Sequence, residues 1–394
     1  MTRPPSILIV AGEVSGDMHA AGLVRALRAR RPDLLFFGIG GDELRAEGVE
    51  VLYDARDMAV MGFTEVIRRL PFFRKAFRQT VAIALQRRPD AVILVDYPGF
   101  NLRLAARTHA AGIRTFYYIC PQVWAWNRGR IPRMASIVDL LLAIFPFEKA
   151  VFEGTPLRVE FVGHPLVDEI NEALSEPPAP LPWQGDPRIA LLPGSRGQEI
   201  RRILPCLCDA AVQIERQRPG ASFLIPTPGP DAERLIRTML AELPVKPARL
   251  AFAPGGTRQV LRQAHAALVT SGTATLESAL LMCPTVVVYR TSPLTYFLGR
   301  RLVRVPHIGI VNVIAGRRIC PEFIQHATTG ANLAGALLPL LDDSHARREM
   351  LRGFEEVKSL LGPGGAAARA AAILAAEWQG AAPPDAAGGG ESHA

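Results

Sequence analysis

Runs of four or five wholly apolar residues recur along this chain, each closed by small or polar residues and most followed by a helical pattern. In RIALLPGSRGQEIRRIL, residues 188–204, positions 189–192 are uninterruptedly apolar, as a strand buried on both faces requires. Pro193, Gly194 and Gly197 punctuate a turn. Glu199, Ile200, Ile203 and Leu204 then recur at helical spacing. Similar runs stand at 7–10, 36–39, 91–95, 115–119, 140–144 and 160–162, and again at 222–225, 250–252, 266–270 and 285–289. Strands alternating with helices predict α/β architecture with parallel sheets.

A chain of 394 residues exceeds one typical domain. Residues 175–187, SEPPAPLPWQGDP, are proline-rich and are the expected linker. They separate two α/β domains, 1–174 and 188–344. Helical patterns at 345–361 and 366–378 fill a closing segment, 345–379, and the Gly/Ala/Pro-rich residues 380–394 read as a disordered tail. Two such sheets leave a cleft at the carboxyl ends of their strands, where open α/β sheets bind ligands.

Apolar residues make up 49% and charged residues 21%, the balance of a globular protein with a large core. The net charge of +8 suits phosphorylated substrates or an anionic membrane surface. Nucleic acid is the weakest candidate, because no nucleic-acid-binding motif accompanies the charge. The five cysteines, Cys120, Cys206, Cys208, Cys283 and Cys320, form no C-x-x-C pair and read as free thiols in a reducing compartment. His19, His164 and His307 lack ligand spacing, so no metal is assigned. The apolar residues 7–11 are followed by Glu13 and Asp17, which is not a signal-peptide pattern, and no apolar run reaches the ~18 residues of a membrane span. A cytosolic location is expected.

The strand-end residues carry the chemistry. Gly194, Ser195, Arg196 and Gly197 precede a helix N-terminus, whose N–H groups and dipole suit phosphate, although no Walker or GxGxxG spacing is present. Taken alone, the stretch is explained slightly better by an ordinary turn with a solvated Arg. Gly12 to Asp17, GEVSGD, bring Glu13 and Asp17 to the end of the first strand, either for chemistry or as a helix cap. Asp96 ends the strand at 91–95, where partial desolvation makes a carboxylate a better base; a turn or capping role is the alternative. Asn101 either orients a hydroxyl or caps a helix. Gln122, Trp124, Trp126 and Asn127 form a cleft wall or belong to the core. Ser271, Gly272 and Thr273 open a second anion-binding turn, with Glu277 one helical turn on, placed for paired hydroxyls such as those of a ribose.

Residues 66–89 contain no acid, and Arg68, Arg69, Arg74, Lys75, Arg78, Arg87 and Arg88 are interleaved there with Leu70, Phe72, Phe73, Phe77, Val81 and Leu85. Leu70, Phe73, Phe77 and Val81 share one helical stripe, which faces either a membrane or the core. A second acid-free span, 278–321, carries Arg290, Arg300, Arg301, Arg304, Arg317 and Arg318 near Tyr296, Phe297 and Leu298.

In order, AGEVSGD, MAVMGFTEVIRRLP, DYPGFN, PQVWAW, FPFEKAVFE, VGHPLVD, LLPGSRGQEI, SGTATLE and NVIAGRRICPEFIQ resemble the lipid-A-disaccharide synthases, from Ile7 to about Leu341. The resemblance implies a GT-B-type glycosyltransferase: two Rossmann-like parallel-sheet domains facing a cleft, with a C-terminal helix crossing back. It implies inverting transfer from UDP-2,3-diacylglucosamine to the 6-hydroxyl of 2,3-diacylglucosamine 1-phosphate, giving a β-1,6 disaccharide and UDP. In those roles Asp96 is the base, supported by Glu13 or Asp17. Gly194–Gly197 with Arg196, Ser271–Thr273, Glu277, Asn312 and Gln325 bind the UDP-sugar. Leu70, Phe72, Phe73 and Phe77 contact acyl chains and the anionic inner membrane from its cytoplasmic side. No cofactor or metal is implied, and oligomeric state stays open between monomer and homodimer. Gly99 stands in DYPGFN where many members carry a second Asp, which leaves Asp96 alone there. A UDP-N-acetylglucosamine epimerase, a peptidoglycan-type transferase and a non-catalytic nucleotide-lipid carrier are the rival readings.

Overall fold

Among the described residues every strand pairing is parallel, and the strands form a seven-stranded and a six-stranded sheet. The computed structural model describes residues 4–58, 63–302 and 305–379. The expected tail at 380–394, Arg304, and residues 59–62 of MAVMGFTEVIRRLP lie outside them.

The first sheet comprises β1 (Ser6–Ala11), β2 (Leu35–Gly40), β3 (Glu50–Asp54), β4 (Ala91–Val95), β5 (Arg114–Tyr118), β6 (Leu140–Ala143) and β7 (Arg158–Phe161), in the order 3-2-1-4-5-6-7. The second comprises β8 (Arg188–Leu192), β9 (Ser222–Thr227), β10 (Leu250–Pro254), β11 (Ala266–Thr270), β12 (Thr285–Tyr289) and β13 (Glu322–Ile324), in the order 10-9-8-11-12-13. The α/β expectation is borne out. The central strands carry the longest apolar runs because helices cover both faces: Ile7 to Ala11 and Ala91 to Val95 are fully buried. Each sheet reverses its strand order once, between β1 and β4 and between β8 and β11. Ligands of doubly wound sheets bind at such switch points.

Two strands escape the apolar-run pattern. β3, EVLYD, is a half-exposed edge strand with acidic ends, and β13 has three residues, none fully buried. Edge strands need only one apolar side, so their sequences look like loops.

Contacts divide the chain into two units: Met1–Val123, Arg128–Pro165 and the chain from Gly365; then Trp124–Asn127 and Leu166–Gly364. The change of unit therefore falls at 165/166 and 364/365 rather than in the proline-rich stretch 175–187. That stretch is tied along the second unit. Arg262 donates to the carbonyls of Ala173 and Glu176 (3.1 and 2.7 Å), Gln263 to that of Ala179 (2.8 Å), and the Gln184 N–H to Ser222 Oγ (2.9 Å).

The closing segment likewise divides. Helix His345–Leu361 belongs to the second unit and helix Ala366–Gln379 to the first. Within the first unit, Ala366, Ala370, Ala371 and Leu374 are buried, and Ala367 meets Gly22 of helix Val14–Arg30. Arg114 grips the carbonyl and carboxylate of Glu377 (2.7 and 2.5 Å). Among the described residues, 345–377 is the one stretch with the length and composition to cross a membrane. It is broken at 362–365, and its apolar faces are core.

Candidate active site

The first switch point is built around Asp96. Strands β1 and β4 pair through Ala11 and Val95, so Gly12–Glu13 and Asp96–Tyr97 emerge side by side. Asp96 and Tyr97 both hold left-handed φ, +43° and +49°, which costs a non-glycine residue on the order of 1 kcal/mol or more. Surrounding bonds impose it. The Asp96 N–H donates to Tyr118 O (3.1 Å), while the Asp96 carbonyl accepts from Asn101 Nδ2 (2.8 Å) and the Tyr117 hydroxyl (2.5 Å). The Tyr97 hydroxyl donates to Met58 O (2.9 Å). Asn101 also bridges to the carbonyls of Val95 and Val10 (3.2 and 3.4 Å). It is thus a fully buried brace for the bend.

Burial, and then the nearby negative charge of Glu13, push the Asp96 carboxyl up to about 6; a bond from the Tyr97 N–H opposes them. The same burial and charge push the Tyr97 phenol up to about 12. Glu13 is exposed at the N-cap position of helix Val14–Arg30 and makes no capping bond. It is a free carboxylate whose field reaches Asp96.

Asp17 does something else. Its carboxylate accepts from the N–H groups of Gly41 (2.6 Å), Glu43 (3.1 Å) and Leu44 (3.3 Å), capping helix Asp42–Ala46. It is buried and accepts all three of these bonds.

At the second switch point, Gly194 has φ +106° and a Cβ there would fall 2.7 Å from Glu199 Oε2, so only glycine fits. Glu199 accepts weakly from the Arg196 N–H (3.4 Å) and guanidinium (3.3 Å). The Arg196 side chain is 64% exposed; such a long, solvated pair is worth well under ~1 kcal/mol, so the guanidinium is free to turn to an anion. Ser195 and Gly197 are exposed beside it. Across the strand boundary, Thr270 Oγ1 donates to Leu192 O (2.8 Å), tying the two turns together. Ser271 Oγ donates to Ile308 O (2.9 Å) and is occupied, whereas Gly272 and Thr273 are exposed at the start of helix Thr273–Leu280. The first turn of that helix offers N–H groups without intrahelical partners.

Glu277 is held by Arg258, which no motif marks out. Arg258 Nε donates to Glu277 Oε1 (2.9 Å), and Arg258 Nη2 bonds Glu169. No spacing signal joins these three: Glu169 lies on helix Pro165–Ser175, Arg258 on Thr257–Gln263 and Glu277 on Thr273–Leu280.

Asn312 and Gln325 are buried and bonded to nearby backbone. Fully buried Asn312 donates to Cys320 O (2.9 Å) and Glu322 Oε1 (2.7 Å) and accepts from Ile319 N (2.7 Å) and Cys320 N (2.8 Å). Gln325 clamps the Thr291 backbone, accepting its N–H (2.7 Å) and donating to its carbonyl (3.2 Å). Both brace loops through these bonds. Their polar groups are spent on backbone that would otherwise be buried unsatisfied.

The phenylalanine stripe also turns inward. Phe72, Phe73 and Phe77 are half-buried against the first unit's core, with Phe77 edge-on to Phe100 at 5.4 Å, while Leu70 is 38% exposed. Trp124 is buried and Trp126 is 48% exposed. All five cysteines are free, and all but Cys206 are buried. Among the described residues no group of three His, Cys, Asp or Glu could hold a metal ion.

The family model described as Lipid-A-disaccharide synthetase matches residues 7–375. The chain is 43% identical over 377 residues to the lipid-A-disaccharide synthase of Myxococcus xanthus, covering 93% of this chain and 96% of that one. It is 39% identical over 369 residues to that of Trichlorobacter lovleyi, covering 92% and 95%. Among solved structures, the S. aureus MnaA–UDP co-structure superimposes with a TM-score of 0.64 at 14% identity, covering 95% of this chain and 97% of that one. The Methanocaldococcus jannaschii UDP-GlcNAc 2-epimerase in complex with UDP-GlcNAc and UDP gives 0.59 at 12%, covering 94% and 99%. At such identities the likeness is one of fold.

Proposed function

The chain belongs to the lipid-A-disaccharide synthetase family, and from that premise we propose that it transfers 2,3-diacylglucosamine from UDP to the 6-hydroxyl of 2,3-diacylglucosamine 1-phosphate. The products are the β-1,6-linked disaccharide 1-phosphate and UDP. The donor is α-linked, so one in-line displacement inverts the anomeric carbon.

Asp96 takes the proton of the attacking hydroxyl. A carboxyl raised to about 6 is ionised at neutral pH yet more basic than an ordinary Asp, which improves it as a general base. Glu13 contributes by its charge. Negative charge grows on the departing diphosphate, and the loosely paired Arg196 and the N-termini of helices Gly197–Gln217 and Thr273–Leu280 are suited to stabilise it. Glu277, oriented by Arg258, accepts hydrogen bonds from ribose hydroxyls. Both substrates are lipids, so the enzyme works at the cytoplasmic face of the inner membrane. Exposed Leu70 is the residue of the Phe-rich segment left to touch it.

The observation that carries this reading is a raised, otherwise unpaired carboxylate at the first switch point of a chain that matches the family almost throughout. UDP release is the test. It should require both acylated sugars, persist in EDTA, and fall by about 10²–10⁴-fold in Asp96→Asn. Conversion of UDP-N-acetylglucosamine without acceptor would indicate an epimerase instead, and donor binding without UDP release would indicate a carrier.

A further inference from the structure

The turn Ser271–Thr273 is held from outside its own helix. Ser271 follows β11, and its N–H donates to Val288 O (2.9 Å), which ties the start of the turn to β12. Its hydroxyl donates to Ile308 O (2.9 Å). The Ile308 backbone is gripped in turn. Its N–H donates to Glu322 Oε2 (3.1 Å), and the next N–H, that of Gly309, donates to Glu322 Oε1 (2.9 Å). Asn312 Nδ2 adds a third bond, to Oε1 (2.7 Å).

Glu322 opens β13 and pairs with Val287 of β12. Adjacent residues of one strand, Val287 and Val288, therefore anchor both the carboxylate and the turn. Gly309 is closely seated between them: a Cβ there would come 3.1 Å from Glu322 Oε1 and 3.4 Å from Val287 Cγ2. A carboxylate suits two consecutive N–H donors, because each oxygen accepts one, and its charge makes such bonds about twice as strong as neutral ones. A carboxamide cannot do the same, since its NH2 would meet an N–H.

We propose that Glu322 is a positioning residue for a nucleoside diphosphate. Through Ile308 and the Ser271 hydroxyl it sets the direction of the N–H groups that open helix Thr273–Leu280. Donors aimed before the ligand arrives bind an anion without a further ordering cost, so a carboxylate whose oxygens are occupied by the loop still governs affinity. The proposal rests on the reading that this turn takes the diphosphate of UDP.

UDP affinity is measured by calorimetry for Glu322→Gln, Ser271→Ala and the double variant. Each single change should weaken UDP by about tenfold, and the double should be no weaker than either, because both cut one connection. Ser271→Thr keeps the hydroxyl and should keep the affinity. kcat/KM for the UDP-sugar should fall in step, with KM for the acceptor unmoved. Ser271→Ala removes a single hydroxyl and carries the test should Glu322→Gln fail to fold. Gly272→Asp tests the underlying reading: a Cβ there meets nothing within 4 Å, so the added carboxylate fits and should repel UDP. Wild-type UDP affinity in Gly272→Asp would overturn that reading and the proposal with it. With UDP lost there, wild-type affinity in Ser271→Ala, or single losses that multiply in the double variant, would overturn the proposal alone. So would a Glu322→Gln protein that is less stable to urea yet binds UDP normally, which is the behaviour of a merely structural tie.

Discussion

The ring of Tyr97 lies directly on Gly12: a Cβ added at Gly12 would fall 2.3 Å from Tyr97 Cδ1. That approach lets the ends of β1 and β4 close together and brings the Glu13 charge to Asp96. Gly12→Ala must push the ring and the left-handed Asp96–Tyr97 bend aside. It should cost about 1–3 kcal/mol in urea denaturation and lower kcat, with UDP affinity unchanged. Full kcat would mean the bend does not position the base.

The acid limb of kcat/KM should fall near pH 6, where Asp96 protonates. The stability effect has the opposite sense to an ordinary salt-bridged Asp. The folded chain keeps this proton up to about 6, but the unfolded chain loses it near 3.8, so stability falls as pH rises through that window. Asp96→Asn should therefore reduce turnover by about 10²–10⁴-fold while raising stability at pH 8 by about 1–3 kcal/mol. A destabilised Asn variant would contradict the desolvation account.

Glu13→Gln removes the charge that disfavours ionised Asp96. The acid limb should move to lower pH, read from rate profiles of the two proteins side by side. An unmoved limb would leave burial as the sole cause.

Arg258→Ala leaves Glu169 and Glu277, each mostly buried, without their shared cation. Stability should drop by about 2 kcal/mol, less than for a fully buried pair because Arg258 is one-third exposed. KM for the UDP-sugar should rise more than kcat falls, and Arg258→Lys should restore stability better than KM. Equal recovery of both would reduce Arg258 to a structural tie.

Asn312→Ala strips four hydrogen bonds from one buried side chain and orphans the Ile319 and Cys320 N–H groups. A loss of about 2–4 kcal/mol is expected, with KM for the UDP-sugar unchanged in the folded protein. A large KM effect with normal stability would return Asn312 to the donor site.

Strand positions were legible because burial on both faces demands an unbroken apolar run, a signal confined to adjacent residues. Asp96 was legible for the same reason: it is the polar residue that ends such a run. Asp17, Asn312 and Gln325 were not. Nothing in their neighbouring residues tells a ligand-binding side chain from a brace, and Asp17 serves an N–H group 24 positions away and Gln325 one 34 positions away. Arg258 and Glu277 lie 19 positions apart on different helices. The order of residues alone determined two parallel α/β sheets, their turn chemistry and the polar groups at strand ends. Only the tertiary structure decided which of those groups are spent on distant backbone and which keep unsatisfied charge, because hydrogen-bond partners are chosen by packing, not by sequence proximity.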